Sequence, residues 1–544
     1  MPDQQPKMDG DRFVDRWRFD GPAKLRANHV IFRDALENAK ASAQAGDLAY
    51  AAALCEIAAL HATANHCGLF ASQELEAVVA SIARAALGVA TIPRGTADGG
   101  RPRRILHVAT GVQAVGGLSR MIWRWIEADS GGVHSLALVR QRRTVPKQMI
   151  DAVRRSGGRL HDLSHGPDGL LDLARGLRQA AAGVDLIVLH IVNQDVVPLL
   201  AFSGATSRPP IAYLDHADHL FWLGVSIADV VIGLRASGVD LAVARRGVDS
   251  LRSVLLPIPL DEVERTVSRR EAKRRLGYPE DALMLLSVAR ALKYRSVAGQ
   301  SYADVHLPFL QRHGDAALVV LGSGRRDDWK TASAQAGGRI IGLPESEDTA
   351  LHYQAADIYV DSFPFVSTTS LLEAGRCGTP LVSRCPFPPG AEILSADMPG
   401  LMETLQRPRT TTAYRALLSR LAADAAVREA LGQATRRGIA ALHGGPAWRA
   451  ALDRVYALSA RVPPAPPGHE RRDAPSFGVP DVFIPFVHGG WDPDILFSGQ
   501  LHLMPAARRA RHSVDLALRR GPNFDGRFNL WKCWIPSRVV ARLR

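Results

Sequence analysis

The sequence of 544 residues has no long uninterrupted apolar run. The best candidate, residues 184–192, is broken by Asp185 and His190 and falls well short of the roughly 18 to 20 residues of a membrane-spanning helix. The first residues, MPDQQPKMDGDRF, lack the basic start and apolar stretch of a signal peptide. From these absences we expect a cytoplasmic protein.

Cysteine is scarce and shows no pattern. The five cysteines are widely spaced and include no CxxC pair, so the sequence supports neither a zinc site nor a redox motif. We expect these cysteines to be small buried side chains. The sequence also lacks a repeat of fixed period, which argues against a solenoid.

Acidic residues are fewer than basic residues, and the net charge is +13. The excess is densest near the C-terminus, where ten Arg and Lys side chains after residue 507 face only Asp515 and Asp525. A basic surface attracts polyanions, but neither a base-stacking pattern nor a zinc-finger spacing accompanies it, so we expect no nucleic-acid partner. A solvated surface and peripheral contact with an anionic inner membrane face stay open as interpretations.

Composition divides the chain into segments. Strong helix formers dominate residues 23–90, and further on short apolar strands alternate with helical stretches, in one round from residue 104 and a second from about residue 281. The alternation indicates the α/β class with two Rossmann-like domains, whose ligands bind at the carboxyl edges of the parallel strands. The predicted segments are a helical domain (1–90), a linker (91–104), a first Rossmann-like domain (105–270), a second (271–460), a Pro-rich linker (461–476) and a basic C-terminal extension (477–544).

The strongest motif is DIYVDSFPFVSTTSLLEAGRCGTPLVS, residues 357–383. It predicts a strand, a loop ending in the hydroxyls of residues 367–370, and a helix. The N–H groups and positive dipole end of that helix can hold a diphosphate, and Glu373, about one turn in, can accept hydrogen bonds from ribose. Plain helix capping with a solvated Glu373 is the alternative.

A second motif, SVARALK at residues 287–293, places Arg290 and Lys293 just after a predicted strand. Cations at such a loop can neutralise the charge that develops on a departing diphosphate. Two surface cations without a role are the alternative. A third motif, Gly322-Ser323-Gly324, follows another strand and allows a ligand to approach the backbone closely.

These residues resemble the nucleotide-binding segment of GT-B glycosyltransferases. LLEAGRCGTPLVS is similar to a stretch of the retaining family that carries an E-x7-E motif, which implies Glu373 as the second, ribose-binding glutamate and leaves Phe365 at the place of the first. The run from Ser367 through Thr369 resembles the His-Thr-Thr stretch of O-linked N-acetylglucosamine transferases, which invert and use UDP-sugars. Retention and inversion both stay open.

The same resemblance implies roles for other residues. The first Rossmann-like domain would bind the acceptor, and the second would bind the nucleotide-sugar. The resemblance also implies catalysis without a metal or cofactor. The implied nucleotide-sugar contacts are Gly116, Gly117, Arg290, Lys293, Gly322, Gly324, Gly342, Leu343, Ser367, Thr368, Thr369 and Glu373.

The loop YLDHADHLFWLG, residues 213–224, crowds acidic, imidazole and aromatic side chains together. By composition it suits a metal, although metal-independent catalysis in GT-B enzymes argues against that. We predict that His216 or Asp218 takes the proton of the acceptor hydroxyl, and that Phe221 and Trp222 stack on sugar. A structured loop whose histidines are hydrogen-bonded locally is the alternative.

The sequence as a whole predicts a hexosyltransferase of glycan biosynthesis that uses a nucleotide-sugar, with UDP as the favoured nucleotide. Lys293 is the predicted catalytic cation. Two other interpretations stay open: a non-catalytic scaffold that binds nucleotide-sugar, and a sugar-nucleotide epimerase. The sugar, the acceptor (a glycan, a lipid-linked glycan or a protein) and the oligomeric state are not predicted.

Overall fold

A computed structural model describes residues 12–95, 102–165, 169–261, 265–464 and 473–521. The chain divides into two compact units. The first unit comprises Gly21–Leu234, Gly238–Leu256 and Leu452–Arg544, and the second unit comprises Met1–Asp20, Arg235–Ser237 and Pro257–Ala451. Parts of both predicted linkers and of the C-terminal extension lie outside the described residues.

Three helices form the N-terminal part of the chain, as predicted: α1 (Phe13–Gln44), α2 (Leu48–Ala64) and α3 (Gln73–Leu87). Helix α2 is buried on nearly all sides, because small alanines alternate with larger apolar side chains around its whole circumference. Leu54 and Ile57 of α2 share one apolar core with Ile187 and Leu189 of the first sheet. The helices therefore belong to the core of the first unit.

The first sheet has seven parallel strands in the order β4-β3-β2-β5-β7-β8-β9. A separate pair joins β1 (Ala90–Thr91) to β6 (Ala205–Ser207). The strands of the sheet are β2 (Arg103–Ala109), β3 (Gly132–Leu138), β4 (Leu160–Asp162), β5 (Leu186–His190), β7 (Ile211–Asp215), β8 (Val230–Gly233) and β9 (Ser253–Leu255). The helices are α4 (Gly117–Ala128), α5 (Lys147–Arg155), α6 (Leu170–Ala180), α7 (Val197–Phe202) and α8 (Ala236–Arg246). The strand order reverses between β2 and β5, the switch point at which such sheets bind ligands.

The second sheet has five parallel strands in the order β12-β11-β10-β13-β14, so its switch point lies between β10 and β13. The strands are β10 (Leu283–Val288), β11 (Ala316–Leu321), β12 (Ile340–Leu343), β13 (Ile358–Val360) and β14 (Leu381–Val382). The helices are α9 (Arg269–Arg275), α10 (Tyr302–Arg312), α11 (Lys330–Gln335), α12 (Ala350–Ala355), α13 (Thr368–Arg376), α14 (Thr411–Ala423), α15 (Ala425–Ala440) and α16 (Gly445–Arg461).

Three short helices follow in the C-terminal extension: α17 (Ile484–Val487), α18 (Pro493–Gln500) and α19 (Ala506–Arg520). They pack within the first unit, where the Tyr50 hydroxyl lies 2.7 Å from His512 Nε2 and the His66 ring lies 2.8 Å from Asp481. No helix in the described part of the chain is long and apolar enough to cross a membrane. The charge cluster predicted beyond residue 521 lies outside the described residues.

Three cysteines, Cys55, Cys67 and Cys377, are buried as predicted, and Cys385 is half-buried. Cys533 lies outside the described residues.

Candidate functional site

Three loops converge at the carboxyl edge of the second sheet, on either side of its switch point. Residues 289–293 follow β10, Gly322–Gly324 follows β11, and residues 361–367 connect β13 to α13. All the residues that the sequence predicts for the nucleotide-sugar, apart from Gly116 and Gly117, lie in these loops, in β12 or in the first two turns of α13. The tertiary structure thus brings them together at the edge where α/β sheets bind ligands.

Lys293 is the partly buried cation of this edge. Its Nζ donates to the Val366 carbonyl at 2.8 Å and lies 4.3 Å from the centroid of the Phe365 ring. Burial lowers the pKa of Lys293 to about 8, while the carboxylate of Asp361 favours the charged form and Arg290 opposes it. An ammonium group has three N–H donors and the bond to Val366 is the one that the described residues supply, so two donors are available to an anionic ligand.

Asp361, the first residue after β13, organises the loop that leads into α13. Its Oδ1 accepts the backbone N–H groups of Ser362 at 2.8 Å and Ser367 at 2.9 Å, and its Oδ2 accepts the Ser383 hydroxyl at 2.8 Å. Burial raises the pKa of Asp361 to about 6. Asp361 is not among the residues predicted above, although a lone carboxylate directly after a buried strand is a signal that the sequence contains.

The N-terminus of α13 is not capped by the side chain of Ser367, so the plain capping interpretation is wrong. The Ser367 hydroxyl instead donates to the Ser370 hydroxyl at 3.1 Å. The hydroxyls of Thr368 and Thr369 are half-buried and make no hydrogen bond within the described part of the chain. The first N–H groups of a helix also lack an intrahelical acceptor, so this end offers a cluster of donors to an anion.

Glu373 lies in the second turn of α13 and is half-buried. At the position of the first glutamate of the E-x7-E motif, the ring of Phe365 packs beside the ammonium of Lys293. An aromatic face attracts a cation without neutralising it. With Phe365 in place of a glutamate, the charge of Lys293 is not offset by an anion at that position, so the site keeps a higher net positive charge.

The glycines of this edge permit close packing of backbone. Gly322 has a φ of +94°, and a Cβ there would lie 2.5 Å from the Ala289 carbonyl oxygen. A Cβ at Gly342 would lie 2.5 Å from the Gly324 carbonyl oxygen. The Leu343 carbonyl already accepts from the N–H groups of Gly322 and Gly324 at 3.0 and 2.9 Å. Contact of a base with Leu343 would thus use groups other than that carbonyl.

Arg326 holds the turn that carries Lys293, a role that was not predicted from the sequence. Its guanidinium donates to the carbonyls of Tyr294 at 3.0 Å and Ala291 at 3.3 Å, and it is itself held by Asp328 at 2.8 Å. An arginine that follows a glycine loop gives no sequence signal for this role, because its partners belong to a different loop.

Arg290 stands at the outer side of the same edge. Its side chain is 43% exposed, and its Nε lies 3.8 Å from Glu345. At this exposure an ion pair contributes little to stability, so the guanidinium can turn toward a ligand at small cost.

The predicted catalytic residues His216 and Asp218 belong to the first unit, directly after β7. Burial lowers the pKa of His216 to about 4, which keeps the imidazole neutral at physiological pH, and its Nδ1 has no hydrogen-bond partner within the described residues. Asp218 is buried, and its Oδ1 lies 3.4 Å from His219 Nδ1. No group of three metal-ligating side chains occurs among the residues that the structure describes.

Phe221 and Trp222 are both fully buried. Trp222 stacks on Tyr213 with ring centroids 4.1 Å apart, and Phe221 packs against Phe32 of α1. The prediction that these rings stack on sugar is therefore wrong, because they belong to the apolar core. Of the predicted glycine pair, Gly116 has a φ of +137° and precedes α4, whose first residue is Gly117, at the end of the loop that follows β2.

The two parallel sheets, with a helical N-terminal part and a C-terminal extension, confirm the predicted fold class of two Rossmann-like domains. No protein-family model matches the sequence, and no curated protein matches it either.

Solved structures that resemble the chain include several glycosyltransferases. They include an O-GlcNAc transferase mutant of Thermobaculum terrenum, 16% identical over 75% of this chain and 78% of that one, with a TM-score of 0.48. A glycosyltransferase from Rickettsia africae is 11% identical over 66% of this chain and 99% of its own, with a TM-score of 0.48. HepE from Anabaena, solved in complex with UDP, is 12% identical over 66% and 99%, also with a TM-score of 0.48. Because each TM-score lies below 0.5, we base the function on the site's own residues.

Proposed function

We propose that the protein is a glycosyltransferase that moves a sugar from a nucleotide-sugar, with UDP as the favoured nucleotide, to an acceptor glycan, lipid or protein. The observation that carries the proposal is the cluster of donors at the switch point of the second sheet. It combines the ammonium of Lys293 with the uncapped N-terminus of α13 and the hydroxyls of Thr368 and Thr369, which make no hydrogen bond within the described residues. Such a cluster suits a diphosphate better than a neutral ligand.

The chemistry of glycosyl transfer explains why a cation is kept there. When the bond between the anomeric carbon and the diphosphate breaks, negative charge develops on the departing oxygen. Lys293 and the helix end stabilise that charge, and Arg290 can close on it from the outer side. Glu373 is proposed to accept hydrogen bonds from the ribose hydroxyls.

Either His216 or Asp218 is proposed to receive the proton of the acceptor hydroxyl. A general base works best when its pKa lies near the working pH, and the pKa of His216, about 4, makes it a weak base in the ligand-free protein. Asp218 is the other candidate, with His219 beside it.

The proposal is tested by thermal shift and calorimetry with UDP, GDP, ADP and a panel of their sugars. We expect selective stabilisation by UDP, lost in Lys293→Ala and Glu373→Ala. Lys330→Ala is the matched control, because that lysine of the same unit is 75% exposed and, among the described residues, forms an ion pair with Asp327 alone. Absence of any nucleotide effect on the wild-type protein would overturn the proposed site.

The second candidate function is a non-catalytic scaffold that binds nucleotide-sugar. The observation that favours it is Phe365, which stands at the position of the first glutamate of the E-x7-E motif. Hydrolysis of the sugar donor separates the two candidates. A transferase releases UDP from a UDP-sugar slowly even without its acceptor, whereas a scaffold binds the same donor and leaves it intact.

A further inference from the structure

Three buried histidines lie in a row on one face of the first sheet: His134 in β3, His107 in β2 and His190 in β5. All three side chains are 0% exposed. His107 Nε2 lies 2.9 Å from His134 Nδ1, and His107 Nδ1 lies 2.9 Å from His190 Nε2. The three imidazoles are therefore joined by two short hydrogen bonds.

Because of the strand register, the row runs from the amino ends of the strands toward their carboxyl ends. His134 stands opposite Ile105, two residues before His107, and His190 stands opposite Ala109, two residues after it. Each step of two residues advances about 6.6 Å along parallel strands. The row thus begins toward the amino edge of the sheet and ends at the carboxyl edge, where ligands bind.

At the amino end the row meets Asp129. His134 Nε2 lies 3.2 Å from the Asp129 backbone carbonyl and 3.3 Å from its carboxylate Oδ2. The carboxylate is also held by the hydroxyl of Tyr456, which accepts in turn from Trp125 Nε1 at 3.1 Å. Both Asp129 oxygens that face His134 are acceptors, so the hydrogen of His134 must be on Nε2.

This end decides the tautomer of every ring in the row. With its hydrogen on Nε2, His134 has a bare Nδ1, which requires a donor at His107 Nε2. His107 then has a bare Nδ1, which requires a donor at His190 Nε2. Nδ1 of His190 is left as a bare acceptor, and it is buried with no hydrogen-bond partner among the described residues.

The open end faces the loop that follows β7. His216 is the charged or titratable group that acts on His190, and together with burial, the larger cause, it lowers the pKa of His190 to about 3. His216 also has an Nδ1 without a partner in the described chain, and Asp218 and His219 act on it from the same loop. A buried acceptor without a partner costs free energy, and in a native protein it calls for an explanation.

We propose that His190, His107 and His134 form a proton relay that carries a proton from a hydroxyl bound at the carboxyl edge of the first sheet to the carboxylate of Asp129. The inference rests on the proposed function for the identity of that hydroxyl, which belongs to the sugar acceptor or to water. It makes the row a set of positioning and proton-transfer residues beyond His216 and Asp218.

The transfer balances without any other reactant. The O–H bond of the hydroxyl breaks and an N–H bond forms at His190 Nδ1, while the hydrogen on His190 Nε2 passes to His107 Nδ1. The hydrogen on His107 Nε2 passes to His134 Nδ1, and that on His134 Nε2 passes to an Asp129 oxygen. Each imidazole stays neutral with its tautomer reversed, and the negative charge moves from Asp129 to the attacking oxygen.

The tautomers are tested directly by nitrogen NMR of the full chain labelled with 15N-histidine, at neutral pH and without ligand. We expect hydrogen on Nε2 and a bare Nδ1 in all three rings, assigned through single His→Gln variants. Hydrogen on Nδ1 of any of the three would overturn the relay. This measurement needs no activity, so it decides the relay even if the protein binds no nucleotide.

Turnover of a UDP-sugar, with water as the hydroxyl donor, tests the transfer. His107→Gln can still accept from His190 and donate to His134, but an amide does not pass a proton along; Asp129→Asn removes the terminal base. We expect each variant to lower turnover about 10²-fold at unchanged affinity for UDP, and to show a smaller slowing in D2O than the wild-type protein. His61→Gln is the matched control, because the ring of this buried histidine of the same unit lies 3.1 Å from the Asn28 carbonyl and has no other hydrogen-bond partner in the described part of the chain. Wild-type turnover in His107→Gln would overturn the relay and leave the proposed function intact.

Discussion

Lys293 is a cation kept at a place where burial disfavours its charge. The lowered pKa means that between pH 8 and the ordinary lysine value the unfolded chain binds more protons than the native protein. Stability therefore rises with pH across that interval, and below it the native state carries the cost of the buried charge. A group whose charge destabilises the fold is one that the ligand, rather than the fold, requires.

Lys293→Met should raise the stability of the ligand-free protein and abolish its stabilisation by UDP. The apolar side chain removes a desolvation cost on the order of 1–2 kcal/mol, which is less than the full pKa shift implies because Lys293 is partly exposed. Denaturant unfolding with and without UDP measures both effects. Lys330→Met is the control, and a fall in stability of the ligand-free Lys293→Met protein would contradict the expectation.

The affinity for UDP should fall as pH rises past about 8, because Lys293 of the free protein then loses its proton. Calorimetric titration from pH 6 to 10 measures the fall. Asp361→Asn should move this fall in affinity to lower pH, since the Asp361 carboxylate favours the charged lysine. In Lys293→Arg the affinity should change little with pH, since a guanidinium stays protonated throughout. A wild-type affinity that is constant over this range would count against Lys293 as the diphosphate ligand.

At the scale of elements, the candidate site lies where the loops at the carboxyl edge of the second sheet pack closely, backbone against backbone. The loop after β11 packs on the loop after β10 through Gly322, and β12 packs on Gly324 through Gly342. These contacts support the turn that carries Lys293, and Arg326 supports the same turn by donating to two of its carbonyls. The position of the ammonium therefore depends on the backbone packing at these glycines and on Arg326.

Gly322→Ala should cost about 2 kcal/mol or more of stability and reduce affinity for UDP about tenfold, because its Cβ meets backbone and its φ is positive. Gly324→Ala is the matched variant. Its φ is +64°, but no atom lies within 4 Å of the added Cβ, so we expect a loss of stability of only about 1 kcal/mol. Chemical denaturation of both variants measures the contrast, and UDP titration of Gly322→Ala measures the change in affinity. Equal losses of stability would show that close packing is not what matters at Gly322.

At the scale of the whole molecule, each unit has its own core and its own parallel sheet with a switch point. Glu76 of α3 shows how the helical part is built into the first unit. Its Oε1 accepts the N–H groups of Gly224 and Val225 at 2.7 and 3.1 Å, and its Oε2 accepts that of Ser226 at 2.7 Å. One buried carboxylate thus holds the loop that continues from His216.

Glu76→Gln should lower stability by about 2 kcal/mol, because an amide offers one acceptor oxygen and turns a donor toward a backbone N–H. Affinity for UDP should stay nearly unchanged, because the residues proposed to hold the diphosphate and the ribose lie in the other unit. Denaturant unfolding and calorimetry measure the two quantities. Glu127→Gln, which removes a surface ion pair with Arg155, is the control and should change neither. A loss of UDP affinity in Glu76→Gln would contradict this separation.

Local pattern was enough to predict the two rounds of strands and helices, the helices before residue 90, and the segments that form the carboxyl edge of the second sheet. Strand alternation and helix composition are short-range properties, and the residue after a buried parallel strand lies at the ligand edge wherever the strand stands in the sheet. The bonds of Asp361 and the support of Arg326 could not be predicted, because their partners come from other loops.

The sequence by itself determined the α/β class and the segments that lie at the carboxyl edge of the second sheet, since both depend on neighbours in the chain. Only the tertiary structure decided that Phe221 and Trp222 are core residues and that Ser367 does not cap α13. It alone also aligned His134, His107 and His190, because strand order and register set which side chains of different strands meet, and no local pattern encodes that order.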